Sequence, residues 1–100
     1  MPAQIQTAIG PVVDALSELL DSDNDSQITY YISDAIEEAT DVMHRTKVNP
    51  QSPELKSKCA NLQSKLGRLT EILSSKSDLA PMVTRLQRST EDFKTAVQSL

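Results

Sequence analysis

Between Pro53 and Leu73, the residues Leu55, Cys59, Leu62, Leu66, Leu69 and Leu73 recur at alternating spacings of four and three. On a helix of 3.6 residues per turn this pattern places them on one narrow stripe. Lys56, Lys58, Asn61, Gln63, Lys65, Arg68 and Glu71 fall between them and turn to water. Ser52-Pro53-Glu54 adds an N-cap hydroxyl, a proline at the first helical position and a carboxylate near the positive helix end. Such a stripe persists in water only when other helices cover it. The rest of the chain must therefore supply them.

Three further segments have the required periodicity. Ile5, Ile9, Val12, Val13, Leu16, Leu19 and Leu20 follow helical spacing over residues 3–20, interrupted by Gly10-Pro11. A proline inside a helix removes a donor and crowds the carbonyl one turn back, costing roughly 3 kcal/mol. The expected helix therefore starts at Pro11, with residues 3–9 as a mobile or loosely docked arm. Residues 21–26 are turn and capping chemistry. A second helix is expected over 27–46, with Ile28, Ile32, Ala35, Ile36, Ala39, Val42 and Met43 inward. The seam helix spans 53–74. The last helix, over 78–99, carries Leu79, Met82, Val83, Leu86, Phe93, Val97 and Leu100, with Thr90 and Ala96 beside them. Short connections force antiparallel neighbours, so residues 1–100 read as one domain, an all-α, up-down-up-down four-helix bundle. With only three aromatic residues and two glycines among 100 residues, a β-sandwich or barrel is disfavoured.

Charge narrows the function classes. The net charge of −4 argues against a general nucleic-acid binder, which needs a basic surface. Residues 1–50 hold nine acids against Arg45 and Lys47, whereas residues 51–100 hold eight bases against five acids. One reading pairs an acidic helix with a basic neighbour. The other offers Lys56, Lys58, Lys65, Arg68, Arg85 and Arg88 as a basic face for an acidic partner or anionic lipid. A single cysteine allows no internal disulfide, and Cys59 sits where a buried thiol is expected. No apolar run is long enough to span a membrane, and a cytoplasmic location is expected.

Candidate chemistry is sparse. Asp21-Ser-Asp23-Asn-Asp25-Ser-Gln27-Ile28-Thr29 resembles the calcium loop of EF-hand proteins, with carboxylates at loop positions one, three and five. It departs from that loop at position six, Ser26 for glycine, and at position twelve, Ile32 for a bidentate glutamate. Met43-His44-Arg45-Thr46-Lys47 resembles the phosphorylated histidine segment of histidine phosphotransfer bundles. There Val48-Asn49-Pro50 replaces the small residues that would follow the lysine. Capping of the second helix, and a histidine at its negative end, account for the same residues without ligands. Gly10 and Gly67 cannot form a phosphate loop. No enzyme activity and no cofactor are expected.

Lys58-Cys59-Ala-Asn-Leu62-Gln-Ser-Lys-Leu66-Gly-Arg-Leu69-Thr-Glu-Ile72-Leu73, followed by Leu86-Gln-Arg-Ser-Thr-Glu-Asp-Phe93, resembles the middle helices of HeLo-type bundles. These are N-terminal domains of fungal incompatibility proteins, of the mixed-lineage kinase domain-like pseudokinase and of coiled-coil plant immune receptors. The resemblance implies a cell-death signalling module that oligomerises and acts on membranes through its first helices, here residues 3–20.

The expected function is therefore a protein-interaction or oligomerisation module, and an N-terminal domain of a longer protein. A protein partner or a second copy would cover apolar residues that the four helices leave exposed. The candidate contact residues are Leu55, Leu62, Leu66 and Leu69 with Lys58, Lys65 and Arg68, joined by Ile5 and Ile9. The alternatives are membrane contact through residues 3–20 and, on Asp21, Asp23 and Asp25, a calcium response.

Overall fold

A computed structural model describes residues 2–22, 25–49 and 52–98. Four helices fill it: α1 (Pro2–Ser22), α2 (Ser26–Val48), α3 (Pro53–Leu73) and α4 (Ala80–Gln98), the last preceded by a 3₁₀ turn at Ser77–Leu79. Each helix packs on its chain neighbours and α1 closes the ring against α4. The product is an all-α, antiparallel four-helix bundle measuring 40 × 21 × 18 Å.

The alternation of four and three extends beyond α3. Buried residues run Ile5, Ile9, Val12, Leu16 and Leu19 along α1 and Ile28, Ile32, Ala35, Ala39, Val42 and Thr46 along α2. This repeat is that of supercoiled helices, in which ridges of one helix settle into grooves of the next at a shallow crossing angle. Ile36 and Met43 flank the α2 seam and are only partly buried. Asp25 caps α2, its side chain accepting from the Gln27 N–H at 3.0 Å, and Ser52 caps α3 through the Glu54 N–H at 3.2 Å.

Two expectations are corrected. First, α1 does not start at Pro11: it is continuous from Pro2, and Ile5 and Ile9 are wholly buried. Burying each isoleucine is worth about 1.5–3 kcal/mol, which together matches or exceeds the interior-proline cost of roughly 3 kcal/mol. Gly10 eases the junction, because the clash of a proline ring with the preceding residue falls largely on a Cβ that glycine lacks. Pro11 itself is exposed.

Second, the buried line of α4 departs from the expected one. Ser89 and Ala96 are buried, while Met82, Thr90 and Val97 are only partly so. Ala96 lies beside α1 and Thr90 beside α3, so α4 turns its closest-packed side to α1. The partner sides explain this: beside α4, α1 offers small Ala3 and Ala8, whereas α3 offers Gln63, Ser64 and Thr70. Accordingly α1–α4 is the most extensive helix pair and α3–α4 the least among chain neighbours. Leu100 lies outside the described residues.

Candidate functional site

The α3 seam is consumed inside the chain. Leu55, Leu62, Leu66 and Leu69 are buried among the other helices, as are Ile5 and Ile9. Expected at an exposed docking stripe, these six side chains instead pack the core within the chain. The exposed large apolar residues are Tyr30, Tyr31 and Val48, with the two tyrosine rings edge-to-face at 5.8 Å. All three lie on α2, the two tyrosines adjacent near its start and Val48 at its end.

The acidic and basic halves meet at α2–α3. Arg45 bridges Asp41 (3.1 Å) and Glu54 (2.9 Å), Lys58 lies 3.9 Å from Asp41, and Lys65 sits between Asp34 (2.8 Å) and Glu38 (3.2 Å). Moving up α2 moves down α3, which fixes their antiparallel register. A hydrogen bond to Asp41 raises the Arg45 pKa, and one to Asp34 raises that of Lys65, so both cations are held charged. These half-exposed pairs set register more than stability. The second Glu38 carboxylate oxygen is buried without a hydrogen-bond partner among the described residues. Arg85 pairs with Glu18 across α1–α4, and Lys76 lies 3.6 Å from Asp25.

Half of the basic face is thus committed within the chain. Of Lys56, Lys58, Lys65, Arg68, Arg85 and Arg88, three are engaged with carboxylates; Lys56, Arg68 and Arg88 remain exposed. Arg68 borders a small polar hollow of ≈ 320 Å³ with Glu38, Asn61, Ser64 and Lys65.

The calcium-type segment is only partly covered by the described residues. Asp21 is in the last turn of α1, Asp25 is occupied as the α2 N-cap, Ile32 is buried, and Asp23 lies outside the described residues. Among the described residues no three His, Cys, Asp or Glu side chains converge as metal ligands. His44 is exposed on α2, inside the helix rather than at a break. Cys59 is buried, and desolvation of the thiolate pushes its pKa up to about 11, which leaves the thiol protonated and unreactive near neutrality.

Described residues also line two larger outer grooves. One, of ≈ 630 Å³, runs between α3 and α4, with Ser64, Gly67 and Thr70 facing Gln87, Thr90 and Lys94. The Thr90 hydroxyl is buried there without a partner among the described residues. A Cβ added at Gly67 would meet nothing within 4 Å, so the glycine is not needed for packing inside the chain. The other groove, of ≈ 690 Å³ and more apolar, lies between the N-terminal half of α1 and the C-terminal half of α4, with Ala3, Thr7, Ala8 and Pro11 opposite Asp92, Thr95 and Ala96. The sequence reading missed both. An interior proline on a helix whose apolar stripe nonetheless continues across it was the available signal for the second.

Compared with protein-family models, curated proteins and solved structures, the chain matches none. Function must therefore be argued from the geometry just described.

Proposed function

We propose that the chain is a non-enzymatic protein-interaction module, a self-contained bundle that binds a partner through its outer grooves. The observation carrying this reading is the complete burial of the helical seams within one chain, leaving relief and polar chemistry only on the outside. Self-assembly by shared seams would need those residues exposed. Among the described residues no helix is long and apolar enough to cross a membrane, and the membrane-acting alternative requires α1 to leave the bundle and expose Ile5 and Ile9.

The test is solution mass by light scattering behind size exclusion over a hundredfold range of concentration. A constant mass near 11.0 kDa is expected. A mass that rises with concentration would replace partner binding with self-association as the function.

A further inference from the structure

We propose that the α1–α4 groove docks a partner α-helix by accepting an arginine from it; this rests on the interaction-module reading above. Pro11 is the starting point. It stands in the middle of α1, where a proline is costly, yet its ring is exposed and packs into no core. Nothing inside the bundle uses it. What it does is chemical: having no N–H, it leaves the Thr7 carbonyl without its i+4 donor at the wall of the groove. The Thr7 hydroxyl is already directed elsewhere, donating to the Ala3 carbonyl at 3.0 Å.

Across the groove stands Asp92, exposed and with no ion pair among the described residues, and it is the single charged residue of the lining. A backbone acceptor and a carboxylate in one cleft, whose other lining is alanine, Gln4, Thr7 and Thr95, match a guanidinium, which carries several donors in a planar fork and tolerates partial desolvation. The α1 wall carries no charged side chain between Ala3 and Pro11, so Asp92 faces no cation across the groove, and Arg88, one turn before it on α4, makes no ion pair with it among the described residues. Ala3, Ala8 and Ala96 are small, which lets the backbone of a third helix approach between the two.

The probe is an alanine-based helical peptide with one central arginine, compared with the same peptide carrying citrulline, an uncharged near-isostere, at that position. It is titrated into the ¹⁵N-labelled full chain. The amides of Thr7, Ala8, Asp92 and Ala96 are expected to shift with the arginine peptide and not with the citrulline one. Asp92→Asn should weaken binding roughly tenfold, the scale of one charge-assisted hydrogen bond. Pro11→Ala restores a donor to Thr7 and should also weaken binding, in a protein that folds better than the parent, so the loss cannot be misread as unfolding.

No shift at millimolar peptide, equal shifts from both peptides, or undiminished binding by both variants would each overturn the proposal. If these occur while the mass stays constant, the groove assignment falls alone. A mass that rises with concentration removes the reading on which it rests.

Discussion

The two glycines have opposite uses although each sits inside a helix with open space at its Cβ position. At Gly67 the helix is ordinary, so an added methyl only removes unfolded-state freedom. Gly67→Ala should stabilise the protein by about 0.5–1 kcal/mol. Gly10 precedes Pro11, and a Cβ there meets the ring of its own chain neighbour. Gly10→Ala should therefore fail to stabilise the parent yet stabilise a Pro11→Ala background, a coupling readable in a thermal or urea double-mutant cycle. Additive effects would mean that the glycine does not serve the proline. The core leucines were legible one by one in the sequence because burial follows the repeat. Ser89 was not, because its burial depends on how α4 is turned, and its hydroxyl is satisfied locally by the Arg85 carbonyl at 3.0 Å.

At the scale of elements, α3 could be read from end to end: its cap, its proline and its seam all agree, and Pro53–Leu73 is what forms. The start of α1 could not. Local backbone chemistry argued for a break at Pro11, and the burial of Ile5 and Ile9, which only the assembled bundle supplies, outweighed it. The orientation of α4 was equally hidden, since Thr90 and Ser89 are neighbours in sequence and only the contrast between the α1 and α3 surfaces decides which is buried. That orientation has a measurable cost. Thr90 is drawn partly inside with its hydroxyl unpartnered among the described residues. Thr90→Val keeps the shape and removes the unsatisfied group, and an increase in unfolding free energy of about 1 kcal/mol is expected by chemical denaturation. A decrease would show that the hydroxyl is bonded in solution and that the α3–α4 groove is better ordered than its polar lining implies.

For the whole molecule, the packing is unequal around the ring, and this bears on which helix can leave it. α1 belongs to both of the most extensive pairs, with α4 and with α2, whereas α3–α4 is the weakest seam between chain neighbours. Opening free energies follow buried contact, so native-state hydrogen exchange should place the amides of Ile5–Leu19 in the slowest class. The amides of α3 and α4 that border the Gly67–Thr90 groove should exchange faster. This ordering separates the two functional readings at the level of energy. A bundle that acts on membranes by releasing its first helix needs α1 to open at low cost, and a bundle that binds partners on its outer grooves needs α1 to hold. Fast, sub-global exchange confined to α1 would therefore favour the releasable helix and weaken the docking surface proposed on it. Slow exchange there keeps Thr7 and Pro11 on a fixed frame opposite Asp92 of α4, which is the preorganisation that recognition of a single inserted side chain requires.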